Sequence, residues 1–433
     1  MYRKIMDFLE EWKESNHRKP LILQGARQVG KTYSILEFGR LHYENVAYFN
    51  FETNPKLNET FEENISPDYL IPILSHIAGQ TIVKEKTLIV FDEVQLCERA
   101  LTSLKYFCED APDYHIIVAG SLLGVAVNRS KFSFPVGKVD MKTLYPMDME
   151  EFMVALGEDD LVEQIKKSFQ TDTPLPSALH DAAMQLYRQY LVVGGMPECV
   201  MLFAQTKDYI LVRHIQDTIL ASYLNDMSKY NNLNEIKKTR LAYDNITFQL
   251  SKKNTRFQYK LIKKGGRASE FENAIEWLCL SGIVSQVYRV EQIKKPLENY
   301  RDIDAFKIYV SDLGLLCAKK NLVANDILYM VEELNDFKGG MTENYVNVQL
   351  TINDYHTYYW QSDRGAEIDF IIQRDGKLIP IEVKAADNTR AKSLKMYMDT
   401  YKPAYAIKLS SKNFGFKDNK KIVPLYAAFA SSF

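Results

Sequence analysis

Three features of the sequence predict an α/β fold. Gly25-Ala26-Arg27-Gln28-Val29-Gly30-Lys31-Thr32 fits the phosphate-loop spelling without a mismatch. Short apolar runs alternate with helical periodicity through the first third of the chain, as in a mostly parallel sheet covered by helices. The same alternation returns after Gly339, beyond a middle rich in helical stretches. The expected organisation is a P-loop ATPase domain over 1–155, a helical connecting region over 156–230, a winged-helix-like domain over 231–334 and an α/β domain over 335–433. At 433 residues the chain is long enough for two or three such domains.

Residues 3–15 place Ile5, Phe8, Leu9 and Trp12 at helical spacing, with Trp12 expected in the core. Pro20-Leu21-Ile22-Leu23 reads as a buried strand leading into the phosphate loop. Glycines there let backbone N–H groups turn inward around phosphate oxygens, and the helix after Lys31 adds its positive end. Lys31 is expected to reach the β- and γ-phosphates of ATP, and the Thr32 hydroxyl a magnesium ion. Val46 to Asn50 reads as a second strand, and Leu70 to Ile82 as a helix with Pro72 in its first turn.

Thr87 to Glu93 is an apolar strand ending in two carboxylates, the form of a Walker B strand. Asp92 would help hold hydrated magnesium and Glu93 would orient or deprotonate the attacking water. His115 to Ala119 is a further strand, followed by Gly120-Ser121, where a hydroxyl can sense the γ-phosphate or position water. The GxGxxG spelling and later acidic residue of a dinucleotide fold are missing.

Net charge is only −2, so any affinity for nucleic acid must come from a local patch. The five cysteines form no CxxC pair or zinc pattern, and their odd number argues against a disulfide framework. The charged start Met1 to Asp7 lacks the apolar core of a signal peptide, and no apolar run reaches membrane-spanning length. A cytoplasmic location without membrane contact is the expectation.

Residues 159–176 read as a surface connection or small insertion, Ala178 to Val193 as a helix and Gly194 to Glu198 as a sharp turn. Two more helices are expected over 206–226 and 233–249. The segment 251–269 holds Lys252, Lys253, Arg256, Lys260, Lys263, Lys264 and Arg267 and no carboxylate. A DNA-backbone contact, a protein-docking surface and a solvated face all fit it. A helix over Glu270 to Leu280 and an extended pair starting at Gly282 follow, and Asp312 is expected as a helix cap.

In the last domain, Glu343 is expected at the start of a helix running to Leu350. Strands are expected over Thr357 to Trp360, Ala366 to Ile372 and Leu378 to Lys384, with Asp375-Gly376 as a turn. Glu382 and Lys384 are two residues apart and share a face, and Asp369 can meet them from the partner strand. Charges among apolar strands need pairing or a metal.

These signatures resemble bacterial and archaeal AAA-like ATPases whose C-terminal half is a domain of unknown function of the DUF4143 type. The resemblance rests on Gly25 to Thr32, Asp92-Glu93, Gly120-Ser121, Leu144-Tyr145-Pro146-Met147 with Glu150-Glu151-Phe152, the Gly194-Gly195-Met196-Pro197 turn, and Lys307 to Gly314. It implies the additional-strand sheet order of that ATPase class and a winged-helix unit in the middle. Where the family has Gly-Arg, this chain has Gly137-Lys138, and a lysine lacks the planar fork of an arginine finger. Arg129 is either an alternative source of that charge or an ordinary surface residue. Glu343, Asp369 and Glu382-x-Lys384 resemble the restriction-endonuclease-like superfamily, which implies Glu343, Asp369 and Glu382 as metal ligands and Lys384 as a catalytic residue; Glu367 is expected on the strand surface.

The leading function is therefore a magnesium-dependent ATPase coupled to DNA binding or cleavage. The alternative is an ATP-dependent regulatory or protein-interaction switch, with a protein partner or a second copy of the chain, on a non-catalytic nuclease-like scaffold. A nucleotide kinase fits less well, since Asp92-Glu93 points to water as the acceptor.

Overall fold

The computed structural model describes residues 1–120, 134–229, 233–250, 256–385 and 392–432. Ser121, Arg129, Lys252 and Lys253 lie outside the described residues. The chain divides into two compact units, Met1–Tyr145 with Leu280–Gly282, and Pro146–Cys279 with Ile283–Phe433.

The first unit is built on five parallel strands, β1 (Leu21–Gln24), β2 (Asn45–Asn50), β3 (Thr87–Asp92), β4 (His115–Ala119) and β5 (Asp140–Thr143), in the order β2-β3-β4-β1-β5. β4 thus stands between the strand that leads into the phosphate loop and the one that ends in Asp92, the additional-strand order anticipated from the resemblance. Leu21 to Leu23, Leu88 to Phe91 and Ile116 to Ala119 are buried without a break, as parallel strands covered on both faces require. One side is filled by edge-to-face rings, Phe91 lying 5.5 Å from Phe61 and 6.0 Å from Phe49. Trp12 on the helix Ile5–Glu14 is buried as expected, its indole N–H donating to Lys19 O at 2.9 Å. The helix placed over 70–82 instead runs Pro67–Ala78. Pro67 occupies its first position, where a missing N–H costs nothing, and Pro72 falls inside.

The second unit combines a helical layer with an eight-stranded sheet of order β12-β13-β11-β10-β9-β8-β6-β7. Its strands are β6 (Val284–Val290), β7 (Arg301–Val310), β8 (Tyr358–Gln361), β9 (Glu367–Arg374), β10 (Lys377–Val383), β11 (Ala406–Ser410), β12 (Gly415–Lys417) and β13 (Lys420–Pro424). The hairpin β6–β7 pairs through β6 with β8 in parallel, so the segments expected as separate domains over 231–334 and 335–433 share one sheet. Residues 159–171, expected as a surface connection, form a helix. Leu161, Val162, Ile165 and Phe169 recur at helical spacing beneath its charges and are buried. The chain after the Gly194-Gly195 turn likewise forms a helix, Pro197–Thr206.

Three of the family-like segments meet in the second unit around Gly195. Its N–H donates to Asp312 Oδ2 at 2.6 Å, and its carbonyl accepts from Met147 N at 2.6 Å. A Cβ at Gly195 would lie 2.0 Å from Met147 O, so no larger residue fits. Asp312 also caps the helix Leu313–Lys319 as expected, accepting from Leu315 N at 2.8 Å. Asp148 and Glu151 form a reciprocal capping box at the start of the helix Met149–Ala155. The Leu144-to-Phe152 signature is thus largely an architectural one. Its residues from Pro146 onward belong to the second unit, whereas the sequence assigned all of 1–155 to the first.

Candidate functional site

In the first unit the loop 25–30 joins β1 to the helix Lys31–His42. Gly25 has φ 144°, and a Cβ there would meet Leu144 O at 2.1 Å, so the loop's entry depends on glycine. Gln28 at φ 65° and Gly30 at φ 92° complete the turn. Ala26 and Val29 are buried and anchor it, while Arg27 is half-buried and Gln28 exposed. The buried Lys31 donates to Gly25 O and Ala26 O, both at 2.8 Å.

Thr32 on this helix and Asp92 at the end of β3 are brought together by the sheet. Thr32 Oγ1 donates to Asp92 Oδ2 at 2.9 Å. Tyr48, on the neighbouring β2, donates its hydroxyl to the same oxygen at 2.7 Å and accepts from Asn50 Nδ2 at 3.2 Å. Glu93 N donates to Asp92 Oδ1 at 3.0 Å, so both carboxylate oxygens are engaged. Burial first, then the hydrogen bond to Asp92, pushes the Tyr48 hydroxyl up to about 12. Glu93 adopts φ 52°, uncommon for a non-glycine residue, and its Oε2 accepts from Gln95 Nε2 at 2.5 Å. One hydroxyl and one carboxylate at a phosphate loop make a donor set suited to a hydrated magnesium ion. Tyr48 was not foreseen, because only the pairing of β2 with β3 brings it to Asp92.

Lys138, which stands where the family has arginine, is paired with Glu109, Nζ to Oε1 at 2.8 Å. The described residues thus place this charge on its own unit's surface helix Glu98–Asp110.

In the second unit, Glu343, Asp369, Glu382 and Lys384 do approach one another, together with Lys307, Tyr309 and Glu367. Glu343 lies in the middle of the helix Asn335–Ile352 instead of at its start, and Asp369 is the third residue of β9. Glu343 Oε2 accepts from Tyr309 OH at 3.0 Å and from Lys307 Nζ at 3.3 Å. Lys307 also meets Glu367 Oε1 at 2.5 Å, so Glu367 is a paired group and not merely strand surface. Asp369 Oδ2 accepts from Val383 N at 2.7 Å. Lys384 Nζ lies 2.5 Å from Glu382 Oε1, whereas the buried Glu382 Oε2 has no hydrogen-bond partner. Burial, then the charges of Glu343 and Glu382, holds the Asp369 carboxyl well above its ordinary range. Among the described residues, no group of three or more His, Cys, Asp or Glu side chains is placed to hold a metal ion. Lysines, a tyrosine and a backbone amide engage one oxygen of each carboxylate, and the described residues do not form the three-ligand set the resemblance implied. The signal for Lys307 was a lone charge inside the apolar run Ala305 to Val310, every residue of which is buried.

The basic segment is described from Arg256 onward. Lys260, Lys264 and Arg267 are exposed. Lys263 pairs with Glu270 at 3.3 Å, and Arg256 donates to Asp304 O at 3.2 Å. No helix among the described residues is long and apolar enough to cross a membrane.

Residues 17–153 match the family model of an AAA domain. Residues 184–326 match a domain of unknown function (DUF8612), and residues 338–428 another (DUF4143). The chain therefore carries an AAA-type ATPase domain followed by DUF8612 and DUF4143 domains. No curated protein matches it. Among solved structures it is similar to the Walker-type ATPase paby2304 of Pyrococcus abyssi, at 13% identity and a TM-score of 0.45, over 74% of this chain and 95% of that one. It is also similar to the Aeropyrum pernix ORC1 protein in complex with DNA, at 12% identity and a TM-score of 0.28, over 74% and 91%. A third is RuvB of Thermotoga maritima, at 14% identity and a TM-score of 0.30, over 65% and 87%.

Proposed function

We propose that the first unit binds ATP with magnesium and hydrolyses it. The observation that carries this reading is the 2.9 Å contact of Thr32 with Asp92, which sets a hydroxyl and a carboxylate side by side at the mouth of a phosphate loop. Thr32 and Asp92 would hold the magnesium ion, whose charge offsets that of the phosphate oxygens. Lys31 exchanges the carbonyls of Gly25 and Ala26 for the β- and γ-phosphates, and the N–H groups of residues 25–30 face the phosphate chain. Glu93, steadied by Gln95, accepts a proton from the attacking water. Ser121, by its place after Gly120 at the end of β4, takes the γ-phosphate-sensing role.

For the second unit we read a restriction-endonuclease-like scaffold, a reading supported by the succession of the helix Asn335–Ile352, the antiparallel strands β8-β9-β10, the helix Lys392–Tyr401 and the parallel β11. Glu382 and Lys384 have the spacing of such a centre. The ion pairs on its carboxylates favour use of this fold as a scaffold within an ATP-driven switch over DNA cleavage. The exposed Lys260, Lys264 and Arg267 favour contact with a nucleic-acid backbone as that switch's output. The five unpaired thiols fit a reducing cytoplasm.

Magnesium-dependent ATP turnover, measured with and without duplex, single-stranded and branched DNA at several salt concentrations, tests the whole reading. Turnover stimulated by DNA and weakened by salt is the expected result. A folded protein that neither binds nor turns over ATP would overturn the first half. Turnover and binding indifferent to every DNA would remove the second.

A further inference from the structure

Lys307 is 1% exposed and comes from β7, upstream of the segment that carries the nuclease-like residues. A buried ammonium is costly unless paired, and here the pairing is threefold. Its Nζ lies 2.5 Å from Glu367 Oε1, 3.3 Å from Glu343 Oε2 and 5.1 Å from the ring centre of the buried Tyr359. On the other side of the cluster, Lys384 neutralises Glu382 at 2.5 Å, and Asp369 is held by the Val383 amide. Three carboxylates thus pair with two resident cations, one from each flank, and the fourth accepts from a backbone amide.

We propose that the Lys307 ammonium supplies Glu343 and Glu367 with the charge compensation that a divalent cation would otherwise provide, so that these two carboxylates are held without a metal. The positive charge that binds Glu343 and Glu367 across the cluster is covalently part of the chain. It ties the hairpin β6–β7 to the helix Asn335–Ile352 and to β9 through charge, beyond the backbone pairing of β6 with β8. Lys307 is a positioning residue here: it holds the two carboxylates in place whatever the metal concentration. This inference rests on the scaffold reading of the second unit, and it is independent of ATP binding in the first.

The test is manganese binding to the nucleotide-free full chain, followed by electron paramagnetic resonance and by thermal unfolding. Three forms are compared: the parent, Lys307→Met and Lys307→Met/Glu343→Gln. The parent should show no manganese site in the second unit and no shift in Tm with the ion. Lys307→Met should lower Tm by roughly 10 °C, from the loss of one partner of a buried pair. It should also gain one manganese site, with partial recovery of Tm, and the added Glu343→Gln should abolish that gain. A folded Lys307→Met protein that acquires no manganese site would overturn the inference. So would a parent that already binds one ion and loses it in Glu382→Gln, and this arm decides the matter even if Lys307→Met does not fold. The scaffold reading fails separately, if the parent cuts DNA and Asp369→Ala does not.

Discussion

Thr32 and Asp92 stand 60 residues apart in the chain and 2.9 Å apart in the fold, hydroxyl to carboxylate. The parallel sheet produces this meeting by ending β1 and β3 on the same edge with only β4 between them. Open α/β sheets bind ligands outside the carboxyl ends of their strands for this reason: side chains from non-adjacent segments converge there.

Lys31→Ala should weaken ATP binding by about 10- to 100-fold, the loss of one charge-assisted hydrogen bond of ~1.5–3 kcal/mol. Calorimetry on the folded variant measures it. An affinity equal to the parent's would remove Lys31 from the site.

Glu93→Gln should bind ATP with little change and hydrolyse it about 100- to 10,000-fold more slowly, since the amide keeps the size of the side chain and loses the base. Single-turnover rates make the comparison, because they separate chemistry from product release.

Tyr48→Phe should leave ATP affinity nearly intact and raise the magnesium concentration needed for half-maximal turnover by about fivefold, the worth of a hydrogen bond of ~1 kcal/mol to Asp92. Because the hydroxyl is pushed up to about 12, it remains a donor through neutral and mildly alkaline pH. The defect should therefore be the same at pH 7 and pH 9. A defect that vanishes at pH 9 would show that Tyr48 acts otherwise.

Asp312 supplies a pH prediction. Burial raises its carboxyl from 3.8 to about 6, against the backbone hydrogen bonds that lower it. Between those values the folded protein holds a proton that the unfolded chain has released, so stability from this group grows as pH falls from about 7 toward 4. Denaturant unfolding of the parent and Asp312→Asn should show the parent's advantage widening over that range, by roughly 2–3 kcal/mol. A gap that narrows on acidification would reverse the assignment.

The spelling of residues 25–32 and the apolar strand ending in Asp92-Glu93 were enough to determine the class of the first unit. Both motifs are local, since backbone turns, a helix start and a buried strand are written in consecutive residues. Asp312 as a cap and Asp375-Gly376 as a turn were legible for the same reason, the turn having φ of 47° and 67°. The helix over 159–171 was obscured because its buried stripe is spread among charges, and only packing showed which residues faced inward. Tertiary structure alone decided that Tyr48 shares an oxygen of Asp92 with Thr32, that Gly195 joins Met147 to Asp312, and that Lys307 reaches Glu343 and Glu367. Each of these depends on strand order, register or burial among segments far apart in the chain. A charge in a sequence carries its sign but not its partner, and in the second unit it is the partner that determines whether a carboxylate is open to a cation or already holds one.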